Sequence, residues 1–162
     1  GPPDWGSWKD VDLWGNQLAE DAQEALAGAE PFADPQVELF TGIVRIQVLN
    51  ILFELAAKSG LIAHQIPPLG GYGETEAIGL RFGPLAFASI PGEADPMVGL
   101  DLRAILGGKY QIIANITQDW IGYMLTEAEY RSLLYIYYSM YSPGPGAGQA
   151  VLDAYLDLWP TE

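Results

Sequence analysis

The sequence predicts an α+β protein in which helices pack on a mixed sheet of about four strands. Three observations carry that prediction. Stretches rich in Val, Ile and Leu at residues 36–49, 76–82, 85–90 and 109–116 have strand length and strand composition. Around them lie segments whose apolar residues recur at helical spacing. Clusters of Gly and Pro punctuate both kinds of segment, at Gly83-Pro84, Gly107-Gly108 and Pro143-Gly144-Pro145-Gly146. The order is helix, strand, helix, hairpin, helix, strand, helix, helix.

The first helix opens on Ser7 with Asp10 three residues on, a capping-box pattern. Val11, Trp14, Leu18, Ala22 and Leu26 follow at helical spacing, and Gly28 supplies the stop. Gly15 weakens that helix, so close packing against a neighbour is expected there. Pro31 to Pro35 reads as a linker. In the strand from Gln36 to Leu49 the apolar set sits on odd positions first (Val37, Leu39) and on even positions later (Val44, Ile46, Val48). Because strand side chains alternate faces, the switch predicts a bulge or twist near Gly42. The sequence offers this strand and the first helix no obvious local partner, so both are expected to pack on something else.

Asn50 caps a short helix from Ile51 to Ser59, closed by Gly60. Pro67 to Gly73 reads as a flexible connector, since it lacks the preceding strand and the following Lys-Ser/Thr of a phosphate loop. Gly83-Pro84 is a two-residue turn between the strands Glu76–Phe82 and Leu85–Ile90. A helix spans Pro96–Leu106, and a strand spans Lys109–Ile116. Thr126 with Glu129 forms a second capping box, opening a helix that runs to about Tyr141. The last helix covers Ala147–Leu158. There is no internal repeat and no low-complexity tract.

Composition excludes several classes. With 162 residues, 49% hydrophobic, five Trp and nine Tyr, the chain is one domain or one large piece of a domain, not a disordered tail. Seven basic residues against 21 acidic ones give a net charge of -14, which argues against nucleic acid or anionic membranes as partners. Neutral lipids and sugars remain open. Charges and glycines interrupt every apolar run before the roughly 18 residues that a membrane span requires. The chain has no cysteine, which removes disulfides and thiolate metal sites. No secretory signal opens it, and Gly1-Pro2 is compatible with a processing scar.

Few residues stand out as chemical. His64, the single histidine, lies in a short apolar stretch before two prolines and reads as structural or as a surface residue. One His and no Cys do not by themselves complete a zinc site. Ile90-Pro91-Gly92-Glu93 places a carboxylate directly after a strand, where it is either a turn residue or a ligand. The aromatics of Thr117 to Tyr123 flank a glycine and either line a pocket or lid the core. In the helix from Glu127, Tyr130, Leu133, Leu134, Tyr137 and Tyr141 form one stripe that reads as core, whereas Tyr135 and Tyr138 fall off it. A phenol off the stripe needs another role, such as a pocket hydrogen bond. The acidic pairs Asp10/Asp12 and Asp153/Asp157 read as solvated faces.

Read together, words of the second half are similar to the neutral/alkaline (non-lysosomal) ceramidase family, zinc amidohydrolases that split ceramide into sphingosine and a fatty acid. They are Leu80-Arg81-Phe82-Gly83-Pro84-Leu85-Ala86-Phe87 running into Ile90-Pro91-Gly92-Glu93, then Gly99, Leu102-Arg103 and Asn115. Gly122-Tyr123-Met124-Leu125-Thr126, Glu129-Tyr130, Tyr135 and the Pro-Gly turn at 143 to 146 follow in order. The resemblance covers about residues 78 to 158. It implies that this chain is the C-terminal part of a larger α/β catalytic domain. It further implies that Glu93 and Tyr123 are Zn2+ ligands and that Tyr135 holds the substrate carbonyl. The family's two histidine ligands, its arginine and its serine have no counterparts here, and the loop between Glu93 and Tyr123 looks shorter.

The expected partners are therefore a missing N-terminal segment or second chain and a neutral lipid substrate, with secretion or a periplasmic location. The competing expectation is a non-catalytic module on the same scaffold that binds a lipid, a glycan or a protein. A structural subunit that self-associates through an apolar face is the third.

Overall fold

The computed structural model describes residues 6–31, 36–61 and 66–160. The chain forms two compact units, Gly1–Pro35 and Gln36–Glu162. The first contains helix α1 (Trp8–Ala27), whose Ser7 and Asp10 close the expected capping box and whose C-terminal cap is Gly28. Most of the 31–35 linker, and His64, lie outside the described residues.

The second unit is built on a four-stranded sheet in the order β1-β2-β3-β5. Strand β1 (Val37–Gln47) is antiparallel to β2 (Tyr72–Phe82), which is antiparallel to β3 (Leu85–Ile90). Strand β5 (Tyr110–Asn115) is parallel to β3, the crossover being helix α3 (Pro96–Leu106). The sheet is therefore mixed, as predicted. The connector at 67–73 is not a loose one. Gly70 N donates to Val48 O at 2.7 Å, Val48 N donates to Gly71 O at 2.9 Å, and β2 begins four residues before the expected Glu76.

Two expectations for β1 fail together. It has a local partner after all, pairing with β2 from Val37↔Phe82 to Gln47↔Tyr72 without a bulge. Its even residues face one side throughout, with Val44 and Ile46 buried, while Val37, Leu39 and Ile43 stay exposed on the other. The apparent switch of face arises because Gly42 occupies an inward position without a side chain. A Cβ there would lie 2.9 Å from Leu158 Cδ2, so the glycine admits helix α6 (Ala147–Leu158).

Helices α6 and α3 pack on that inward face. Val151, Tyr155 and Trp159 meet Val44, Ala77, Ala88, Ile90, Val98 and Leu102 in one buried cluster. Each large aliphatic side chain so buried contributes about 1.5–3 kcal/mol. Tyr155 satisfies its buried phenol by donating to the carbonyls of Ile78 and Ser89, both at 2.8 Å. Trp159 donates to Leu106 O at 3.0 Å and packs edge-on against Phe40.

The helix expected from 127 to 141 is broken. Helix α4 (Glu127–Tyr130) has its Thr126/Glu129 capping box, but Ser132 accepts from Leu134 N and starts a 3₁₀ turn at Leu133–Tyr135 before α5 (Ile136–Met140). Tyr135 itself has φ -105 and ψ 15, outside helical geometry. The break destroys the phase of the predicted stripe. Leu133 and Leu134 are 84% and 89% exposed, and Tyr137 and Tyr141 are exposed too, so that stripe is not core. Helix α2 (Ile51–Lys58) is capped by Asn50 as expected.

Candidate functional site

Strand β3 ends at Ile90, and the chain turns through Pro91-Gly92 into a second, two-stranded parallel sheet. Its strands are β4 (Glu93–Ala94) and β6 (Tyr123–Met124), and Glu93 is the register partner of Tyr123. Backbone bonds fix that pairing: Glu93 N donates to Gly122 O and Asp95 N to Met124 O, both at 3.0 Å. Two glycines make the approach possible. A Cβ on Gly92 would run into Gly122 O, and a Cβ on Gly122, which has φ +98, would run into Tyr141 O. Tyr123 N in turn donates to Tyr141 O at 3.1 Å.

These elements surround a cavity of about 300 Å³ lined by Glu93, Asp95, Pro96, Tyr123, Tyr135 and Tyr138 among others. The structure thus brings Glu93, Tyr123 and Tyr135 to one place. Tyr138, the other phenol off the predicted stripe, packs edge-on against Tyr123 with ring centroids 5.1 Å apart and stands 5.8 Å from the Tyr135 ring. Of the 117–123 loop, Tyr123 lines this cavity, whereas Trp120 is exposed and does not pack on the core cluster.

Burial, then the neighbouring Glu93 carboxylate, raises the Tyr123 phenol above its ordinary pKa. The Asp95 charge, then burial, does the same to Tyr135, which donates to that carboxylate. Asp95 is itself raised, by burial and then by a hydrogen bond with Glu129. Burial alone would raise Glu129 too, but hydrogen bonds from Asp95 and Thr126 outweigh it and hold its carboxyl low. Both pocket phenols are therefore neutral hydrogen-bond donors at neutral pH.

Sequence reasoning missed Asp95. It stands immediately before Pro96, accepts from Met97 N at 2.9 Å and caps α3, so its sequence signal is that of a helix cap. Glu129 was visible as half of a capping box, which it also is, and as part of the Glu129-Tyr130 word, with no role in the site assigned to it.

Glu93 and Tyr123 are oxygen donors on adjacent backbones and suit part of a zinc coordination sphere. They do not complete one, since a structural or catalytic site takes three or four protein ligands. Among the described residues no group of three His, Cys, Asp or Glu side chains comes together to hold a metal. Among them, too, no helix is long and apolar enough to cross a membrane.

Comparison with known proteins rests on structure. Neither the protein-family models nor the curated proteins match the sequence. The architecture is α+β, a mixed four-stranded sheet with helices packed on it. Its particular likeness is to the neutral ceramidase from Pseudomonas aeruginosa, at a TM-score of 0.65 and 16% identity, over 96% of this chain and 34% of that one. A ceramidase complexed with C2 also aligns, at 18% identity and a TM-score of 0.46, over 52% of this chain and 14% of that one. The fold is thus neutral ceramidase-like, and the chain spans about a third of the neutral ceramidase chain.

Proposed function

We propose that this chain is the C-terminal portion of the catalytic domain of a zinc-dependent amidohydrolase resembling neutral ceramidase, acting on ceramide or a related N-acyl lipid. The observation that carries the reading is the meeting of Glu93, Tyr123 and Tyr135 around one cavity, within a neutral ceramidase-like fold. Glu93 and Tyr123 are the two metal ligands this chain supplies, and the remaining ligands come from a preceding segment or second chain. When bound, zinc supplies Lewis-acid polarisation of a carbonyl and a water activated near neutral pH. Tyr135 keeps its proton at neutral pH, and that proton, which in the unliganded chain is directed at Asp95, turns to the substrate oxygen on which charge develops. The aromatic wall of Tyr123, Tyr135 and Tyr138 suits an uncharged lipid, which a protein of net charge -14 does not repel. A secreted or periplasmic location accompanies this reading.

The incomplete ligand set also supports a second reading, a non-catalytic module on the same scaffold that binds lipid, glycan or protein. A fluorescent N-acylsphingosine assay, run with and without the polypeptide encoded upstream, separates the two. The expected result is turnover and bound zinc only in the joined protein, zinc retention lost in Glu93→Gln, and turnover about 100-fold lower in Tyr135→Phe. Full turnover by the isolated 162 residues, or a zinc-free complex indifferent to Glu93→Gln, overturns the catalytic reading.

A further inference from the structure

Tyr135 stands on a weakly anchored turn. Both the 3₁₀ turn Leu133–Tyr135 and helix α5 are short, and Leu133, Leu134, Ile136 and Tyr137 around the phenol are all exposed. The turn's own bonds are local: Leu134 N donates to Ser132 Oγ at 3.3 Å and Tyr135 N to Ser132 O at 3.0 Å. Core packing therefore does not set the direction of the Tyr135 ring. Asp95, which lines the same cavity, is held by backbone and side chain together. Its N donates to the O of fully buried Met124 at 3.0 Å, and its Oδ1 accepts from Met97 N at 2.9 Å. Pro96 follows and presets the first residue of α3. The Asp95 side chain is buried, and its carboxyl meets both the Tyr135 hydroxyl, which donates to it, and Glu129. Glu129 is fixed in turn, its Oε2 accepting from Thr126 N at 3.1 Å and from Thr126 Oγ at 2.7 Å. A firmly seated carboxyl thus contacts a loosely seated phenol.

We infer that Asp95 is the positioning residue of the site: its carboxyl, backed by Glu129, aims the Tyr135 hydroxyl into the cavity that Glu93 and Tyr123 also line. That the aimed phenol serves hydrolysis rests on the function proposed above; that Asp95 holds it does not. The helix cap by itself does not call for a carboxylate, since Asn and Ser cap helices about as well as Asp. Asn offers a single oxygen, which Met97 N would occupy, whereas a carboxylate serves Met97 N and the phenol together. The spacing also fits. Glu93 and Asp95 are two residues apart on extended backbone and face the same side, with Cα atoms roughly 7 Å apart. The hydroxyl that Asp95 holds is thereby set beside the Glu93–Tyr123 pair and not upon it. A turn of that hydroxyl about its C–O bond redirects its proton to a ligand oxygen while the ring stays in place. Orientation fixed before the ligand arrives need not be lost when it binds.

Separating the cap from the carboxylate tests the inference. Asp95→Asn and Asp95→Ser both keep a good helix cap, and both should melt within about 4 °C of the parent. In the isolated 162-residue chain, carbon NMR of tyrosine isotope-labelled at Cζ reports the hydrogen bonding of each phenol. The Tyr135 signal is assigned by its loss in Tyr135→Phe. It should move in both Asp95 variants, while the signal of Tyr155, whose hydroxyl is bonded to Ile78 O and Ser89 O, stays in place. In the chain joined to the polypeptide encoded upstream, Asp95→Asn should lower kcat for the fluorescent N-acylsphingosine about tenfold with KM little changed. The same substitution should add nothing once Tyr135 is replaced by Phe, because the two side chains act as one unit. A Tyr135 signal unmoved in both variants overturns the inference. So does an equal loss of turnover with and without the phenol, or a collapse of the melting temperature in both variants, since each marks a role in the fold alone. The NMR signal needs neither zinc nor turnover. A shift without hydrolysis by the joined protein leaves Asp95 holding the phenol and removes the catalytic reading, and hydrolysis with an unmoved signal does the reverse.

Discussion

Gly122→Ala tests whether the local backbone, and not the tyrosine stack, holds Tyr123 beside Glu93. Gly122 has φ +98, and a Cβ there meets the Tyr141 carbonyl, which is backbone and cannot rotate away. Forcing an L-residue into that conformation costs about 1–2 kcal/mol. The chain must also move off Tyr141, losing the 3.1 Å bond from Tyr123 N, at about 1 kcal/mol. The sum is about 2–3 kcal/mol, and at about 4 °C per kcal/mol for a domain of this size the Tm falls by roughly 8–12 °C. Gly99→Ala is the internal control: it lies inside α3 with nothing within 4 Å of its Cβ position, so Ala should stabilise by about 0.5–1 kcal/mol. Differential scanning calorimetry of the two variants against the parent decides the matter. A Gly122→Ala protein that melts within about 2 °C of the parent refutes the reasoning, because neither strain nor the lost bond would then be present.

Two further outcomes follow from buried polar groups. Burial raises the Tyr155 phenol to about 12 from its ordinary 10.0. The folded state therefore holds a proton that the unfolded chain has released between those values, and stability is lost as pH rises through that window, by about 2–3 kcal/mol in total. Urea unfolding at pH 9 to 12 should show a steeper alkaline loss for the parent than for Tyr155→Phe; parallel curves would refute the assignment. Asn50 caps α2 with its Oδ1 and donates Nδ2 to the carbonyls of Ser139, Met140 and Ser142, at 2.9, 3.1 and 2.8 Å. Asn50→Ala should cost about 2–3 kcal/mol in urea unfolding, more than the roughly 1 kcal/mol of a cap alone, whereas Asn50→Asp should keep the cap and lose the rest.

Much of the secondary structure was legible because its determinants are local. Helix α3 and helix α6 fall on their expected boundaries, since Pro96, Gly107 and the Pro-Gly run at 143–146 act on the backbone within a residue or two. Both capping boxes form for the same reason. The long helix from 127 failed because two local signals competed there: an apolar period favoured continuity, and the Ser132 hydroxyl offered the backbone an alternative bond. The sequence pattern of β1 misled because a glycine leaves no mark on a hydrophobic alternation, and its face is known only once Leu158 lies over it.

The residues of the cavity illustrate the same division. The resemblance to ceramidase words singled out Glu93, Tyr123 and Tyr135, and periodicity set Tyr135 and Tyr138 apart from their neighbours. That these side chains meet depends on the parallel pairing of two dipeptide strands thirty positions apart, a contact no local pattern encodes. Asp95 shows why: its cap to Met97 is written in three adjacent residues, while its contact with Tyr135 exists only because β4 lies against β6. Hydrogen bonds between neighbours in the chain are fixed by residue type, but the closeness of distant groups is set by which faces can be buried together, and that is a property of the whole packing.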